Sequence, residues 1–203
     1  MASHPIHLVK ADSGEAIEAE LVEAIEESHL QAVETRWKPI IRRRQQELVD
    51  QNRPRSEWLQ NAHWDWRKKV ERVRGAVVFR SFSLVCEGEL QGLMQLTTAG
   101  RSRCPGQLGH ELVYVDYVEA APWNRRDIVS DRRFNGVGSV LIIAAIAVSE
   151  EECFRGRIGL HSLPRAEPFY ADRCGMTDLG IDGGYQNLKY FEMTPDQAAA
   201  FLR

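Results

Sequence analysis

Nine consecutive apolar residues, Val140 to Val148, follow directly on Asn135-Gly136-Val137-Gly138-Ser139. A helix needs about 20 such residues to span a bilayer, so this run reads as a helix buried in a core. Upstream, Glu111 to Ala121 (ELVYVDYVEAA) is rich in β-branched and aromatic residues and reads as a strand, as does Arg157 to Ser162 downstream. A strand, a buried helix and a second strand form a crossover unit, and its two strands should lie parallel. The chain must therefore build a sheet with a helix packed across at least one parallel pair.

The remaining pattern places more strands around that unit. Ile6 to Val9 reads as a first strand. Asp12-Ser13-Gly14-Glu15 offers an N-cap with an acid three residues on, and Ile17, Leu21, Ile25, Leu30 and Val33 recur at helical spacing, which predicts a helix to about Thr35. Ala76 to Cys86 and Leu90 to Thr98 flank Glu87-Gly88-Glu89 as an antiparallel hairpin. Pro164 to Cys174 reads as a short helix, Leu188 to Met193 as a terminal strand, and Thr194-Pro195-Asp196-Gln197 as the capped start of a last helix. The fold class is α+β, or mixed α/β, in one domain over residues 1–203.

Charge is segregated along the chain. Asp12 to Glu34 holds eight acids and no Lys or Arg, whereas Arg36 to Arg74 holds twelve basic residues against five acids, with Trp37, Trp58, Trp64 and Trp66 interleaved. This second stretch reads as helical, broken near Asn52-Arg53-Pro54. Over the whole chain the formal charge is -3, a balance that does not point to nucleic acid. A basic, Trp-rich segment at about 36–74 could still hold single-stranded nucleic acid or an acidic protein by phosphate attraction and stacking, although charge runs are more often solvated helix faces.

Four cysteines without a CxxC pair, and no leader of basic and apolar residues, fit a reducing, cytoplasmic setting. The histidines show no ligand spacing, so no metal is expected. Cys174 should pack rather than react.

The chemistry concentrates in Arg132-Arg133-Phe134-Asn135-Gly136-Val137-Gly138-Ser139, ahead of the apolar helix. Glycines let backbone N–H groups converge, and a helix N-terminus adds unpaired donors and partial positive charge, so the loop can cradle a pyrophosphate. No Gly-Lys-Ser/Thr follows, which excludes a Walker loop, and Leu141 stands where a dinucleotide fingerprint needs its third small residue.

The R-x-x-G-x-G of Arg133 to Gly138, after a strand ending Ala120-Ala121-Pro122, resembles the acyl-CoA-binding motif of the GNAT superfamily of N-acetyltransferases. Ala166-Glu167-Pro168-Phe169-Tyr170 with Cys174-Gly175-Met176 is similar to the A-x-x-F-Y...G-F segment of that superfamily. Leu163 stands where many members carry Asn, and the step from Tyr170 to Gly175 is one residue longer than usual.

The resemblance implies a central, mostly antiparallel sheet flanked by helices and splayed at the acyl-CoA site. It implies acetyl-CoA as acyl donor and direct attack by an amine in a ternary complex. Backbone groups of Val118 and Ala120 would take the pantetheine arm, and Arg132, Arg133, Phe134, Asn135, Gly136, Val137, Gly138 and Ser139 the pyrophosphate, with Tyr170 beside the cofactor as general acid. An alkylammonium has no lone pair at neutral pH, so a base is needed, and Glu119 or Asp116 should supply it, with Glu119 favoured. Ser139 should cap the apolar helix, Asn124 order the loop or touch the acceptor, and Trp123 wall the cleft.

His161, at a strand end near the cleft, could shuttle protons, but a lone His is more often structural. The acceptor amine stays open among polyamine, antibiotic, amino acid and protein terminus, its pocket shaped by Trp37 to Asn61 and Thr177 to Asn187. An acyl-CoA binder without turnover is the remaining alternative. Exposed strand edges are compatible with a homodimer, and no membrane association is expected.

Overall fold

A computed structural model describes residues 2–203. Nine strands and five α-helices occur among them: β1 (Ser3–Lys10), β2 (Ala16–Val22), α1 (Glu27–Ala32), α2 (Lys38–Asp50), α3 (Trp66–Arg72), β3 (Phe79–Cys86), β4 (Glu89–Arg101), β5 (Glu111–Ala120), β6 (Phe134–Asn135), α4 (Val137–Glu151), β7 (Ile158–Ser162), β8 (Thr177–Asp182), β9 (Leu188–Met193) and α5 (Pro195–Phe201). The strands form an open, mostly antiparallel sheet in the order β6-β1-β2-β3-β4-β5-β7-β9-β8. The chain divides into two compact units, one of residues through Ala76 with Ser81–Leu93 and Glu119–Gly138, the other of Val77–Arg80, Met94–Val118 and Ser139–Arg203.

In the first unit β1 and β2 form an antiparallel hairpin, with Val9 opposite Ala16 and Ser3 opposite Val22. This corrects the helix expected from Asp12 to Thr35. A spacing of four, such as Ile17 to Leu21, satisfies a period of two as well as one of 3.6. The intervening residues decide: Ala19 is buried between Ile17 and Leu21, while Glu18 and Glu20 are exposed. Gly14, at φ +74°, closes the turn and donates to Lys10 O. The helix begins only at α1, where the Glu26 N–H donates to His29 Nδ1 at 3.1 Å.

A wide π-type turn at Val33–Trp37 joins α1 to α2. The expected break after α2 occurs at Gln51 to Pro54, where Asn52 takes φ +51°. Glu87 and Gly88, both at positive φ, make the two-residue turn between β3 and β4. Phe134 and Asn135, expected as loop, pair with Lys10 and Val9 as the short strand β6.

In the second unit β5 and β7 are parallel, as the crossover requires, and β7 pairs antiparallel with β9. The stretch Thr177 to Asn187, read as loop, contains the strand β8 on β9. Its glycines hide the strand pattern: Gly180 sits at φ +86° inside a register shift between Asp178 and Ile181. Thr194 caps α5, its hydroxyl accepting from Gln197 N–H and its N–H donating to Gln197 Oε1 at 2.8 Å. Glu192 of β9 is fully buried and accepts from Ser102 Oγ, the Arg103 and Cys104 amides and Gln107 Nε2, which pins the loop after β4. No helix among the described residues is long and apolar enough to cross a membrane.

Candidate active site

The parallel pairing of β5 with β7 is short. Val113 lies opposite Ile158 and Val115 opposite Leu160, and the pairing stops there. Beyond it β7 stays on β9 as far as Ser162 opposite Lys189, while β5 runs on to Ala120. The Ala121 N–H then donates to Gln91 O of β4 at 2.8 Å. The β5–β7 pairing thus ends at Val115, while β5 continues through Asp116 to Ala120. Val118 and Ala120 both lie beyond the last residue of β5 that pairs with β7.

α4 begins at Val137, so Ser139 falls within the first turn instead of capping the helix as expected. Gly136 precedes the helix at φ +86° with nothing within 4 Å of where a Cβ would stand. That conformation excludes most side chains, and the amides of Val137, Gly138 and Ser139 are first-turn donors without helical acceptors. The loop behind them is held by side chains. Asn124 Oδ1 accepts the Phe134 amide at 3.0 Å, and Gln91 Oε1 accepts from both Asn124 Nδ2 and Trp123 Nε1 at 2.9 Å. Asn124 therefore orders the loop, and the Phe134 amide is spent on it, with the Phe134 side chain in the core.

Arg133 pairs with Glu89 at 2.6 Å and lies over the Trp123 ring. Arg132 is half-buried, and burial together with the like charge of Arg126 lowers its pKa. Two cations held near each other in this way favour an anion between them.

Glu119 is buried at 6 % exposure. Asn61 Nδ2 donates to its Oε1 and Trp66 Nε1 to its Oε2, each at 2.6 Å, and the Arg125 guanidinium lies 3.4 Å from Oε1. Burial raises its pKa above the ordinary carboxylate value, against the pull of Arg125 and the indole. Asp116 is half-buried on the opposite face of β5.

In the second unit Tyr170 is buried in a π-type turn, Phe169–Arg173, where the Cys174 N–H reaches back to Phe169 O. This wide turn takes up the extra residue between Tyr170 and Gly175. The Tyr170 ring packs on Phe169 and Phe191. Its hydroxyl makes no hydrogen bond to a described residue, and burial pushes its pKa up, so the phenol stays protonated. The buried Cys174 thiol is pushed up to about 12, which keeps it inert and fits packing.

Sequence reasoning did not single out Asn61 or Gln91, and it read Trp66 only as one of the indoles of the basic segment. Asn61 and Trp66 reach Glu119 across more than 50 residues, and no local pattern marks them. The basic segment is largely neutralised within its own unit: Arg36 pairs with Glu89, Lys38 with Glu34, Arg53 with Glu57 and Arg67 with Glu27. Trp37 and Trp66 are buried, Trp58 is covered by Arg55 and Trp64 by Lys69, which takes the indoles away from base stacking. Among the described residues no cluster of three or more His, Cys, Asp or Glu could hold a metal.

No family model matches the sequence, and no curated protein matches it. Solved structures do. An acetyltransferase of the GNAT family from Listeria monocytogenes superposes with a TM-score of 0.54 at 12% identity, covering 94% of this chain and 99% of that one. FeeM, an N-acyl amino acid synthase from uncultured soil microbes, gives 0.54 at 12% identity over 91% and 95%. Mycobacterium smegmatis RimJ in complex with CoA-disulfide gives 0.52 at 14% identity over 99% and 93%. These likenesses agree on one architecture: the chain has the fold of the GNAT superfamily of N-acetyltransferases.

Proposed function

We propose that the protein is an N-acetyltransferase that moves an acetyl group from acetyl-CoA to an amine by direct attack in a ternary complex. The observation that carries this reading is that β5 pairs with β7 only as far as Val115 and then runs on to Ala120, so that the backbone groups of Val118 and Ala120 lie beyond that pairing. The amides of a pantetheine arm have the same spacing of donors and acceptors as a peptide and can take up such groups, here those of Val118 and Ala120. The pyrophosphate then falls to the amides of Asn135 to Ser139, where the dipole of α4 adds attraction. Arg132 and Arg133 contribute positive charge, and Arg126 beside Arg132 extends it.

On its way from ammonium to amide the nitrogen must shed protons. Glu119 is the carboxylate for this work, held in one orientation by Asn61, Trp66 and Arg125, and its raised pKa makes it a better base than a solvated carboxylate. Asp116 is the second carboxylate of β5. As the C–S bond breaks, the thiolate takes a proton from Tyr170, whose phenol is protonated and not committed to a described protein partner. The likenesses to FeeM, an N-acyl amino acid synthase, and to the Listeria monocytogenes acetyltransferase support acyl transfer without choosing the acceptor.

The test is mass spectrometry of the purified protein with isotopically labelled acetyl-CoA and a metabolite extract. A labelled amide product supports the reading. Labelled acetyl-CoA recovered intact, with no labelled product from the extract or from a panel of primary amines, contradicts it.

A further inference from the structure

His161 is not alone. Its Nδ1 lies 2.6 Å from the Tyr114 hydroxyl and its Nε2 3.0 Å from Asp182 Oδ2. Asp182 also pairs with the Arg103 guanidinium and accepts from the Gly184 amide, interactions that hold its carboxyl at about 2. An ionised carboxylate can only accept, so His161 Nε2 must carry the hydrogen it shares with Asp182. In a neutral imidazole the lone pair then belongs to Nδ1, and Tyr114 O–H donates to it. The ring is held in this orientation by Tyr185, stacked on it at 3.9 Å between centroids, and by Tyr190 at 4.7 Å. The order carboxylate, imidazole, hydroxyl is that of a relay able to draw a proton from whatever meets the hydroxyl oxygen.

Its place in the sheet matters. Tyr114 lies one position before the last paired residue of β5 and His161 one position after the last paired residue of β7, so the chain of hydrogen bonds sits where that pairing ends. We propose that Tyr114 is a catalytic residue that takes a proton from an incoming alkylammonium, with His161 and Asp182 as the relay that positions it and receives the charge. This rests on the acetyl-transfer reading and deepens it.

The protons balance. The N–H bond of the ammonium breaks toward Tyr114 oxygen as the Tyr114 proton passes to His161 Nδ1, giving an imidazolium beside the Asp182 carboxylate. The freed lone pair forms the C–N bond, and the second proton of the nitrogen passes to solvent water. The C–S bond breaks and Tyr170 protonates the thiolate, recovering its proton from water. His161 returns its proton to solvent, so the net release is one proton for each amide made.

The relay should show in a pH profile. The groups facing His161 and Tyr114 are Asp182, Arg103, Tyr185 and Tyr190, with Asp116 near Tyr114 and Glu192 near Tyr190. Burial lowers the His161 pKa below its ordinary 6.5, so the neutral form that the relay needs persists into mildly acidic solution. The experiment measures acetyl-CoA-dependent thiol release with spermidine, free amino acids and a short peptide with a free α-amine, for wild type, Tyr114→Phe, His161→Gln and Asp182→Asn. Tyr114→Phe should lower kcat at least tenfold with KM for acetyl-CoA unchanged. His161→Gln should shift the acidic limb of kcat/KM, and Asp182→Asn should lower kcat at least tenfold because an amide can turn the ring to the other tautomer.

A Tyr114→Phe enzyme with wild-type kcat, or a His161→Gln enzyme with the acidic limb unshifted, overturns the relay while leaving acetyl transfer intact. A wild-type protein inactive on every amine overturns the acetyl-transfer reading, and the relay with it. Because Tyr114→Phe deletes one oxygen, its melting temperature separates the two roles: a large fall in melting temperature with kcat and pH profile unchanged marks a structural residue and also overturns the proposal.

Discussion

The Trp66 indole donates to one oxygen of the Glu119 carboxylate at 2.6 Å, and both groups are almost completely buried. A buried acceptor that loses its donor pays its full desolvation cost, about 1–3 kcal/mol. Trp66→Phe should therefore destabilise the protein by about that amount or more, in urea melts followed by circular dichroism, since some ring packing is also lost. An unchanged midpoint would mean that the bond contributes nothing.

Tyr170→Phe should leave stability and acetyl-CoA affinity nearly unchanged, because the hydroxyl has no described protein partner and the ring packing on Phe169 and Phe191 survives. Turnover should fall by about 10²-fold or more, the usual range for a lost general acid. Steady-state thiol release measures it, and equal turnover removes Tyr170 from the chemistry.

Asp182 is a stability prediction as well as a relay member. Arg103, His161 and the Gly184 amide hold its carboxyl at about 2, below its ordinary 3.8. A lowered pKa contributes stability that is present above the unfolded value and lost as pH falls through the folded one. Acid unfolding of wild type should thus steepen between about pH 4 and pH 2, and Asp182→Asn should flatten that window in melts taken across the range.

Much of this architecture was legible because local and global preferences agree. The crossover of β5, α4 and β7 follows from strand composition and an apolar run, and Thr194 to Gln197 announces α5 through its cap. The miss at β2 came from residues spaced by four, a number that two periods share, and the miss at β8 from glycines that break alternation. In the site, Gly136 and Tyr170 carry recognisable local patterns. The setting of Glu119 does not, because Asn61, Trp66 and Arg125 come from distant segments joined only by folding. His161 looked solitary for the same reason, since Asp182 and Tyr114 join it only once β5, β7 and β8 are in register.

The central claim is that the amides at the start of α4 hold the diphosphate of acetyl-CoA, and isothermal titration of acetyl-CoA into wild type and Gly136→Val tests it most directly. A β-branched residue resists φ +86° and crowds the approach of a phosphate. The account predicts saturable binding at one site per chain in wild type and at least tenfold weaker binding, about 1.4 kcal/mol, in a variant that remains folded. Wild type without binding heat across several temperatures, or a folded Gly136→Val protein with undiminished affinity, would contradict it.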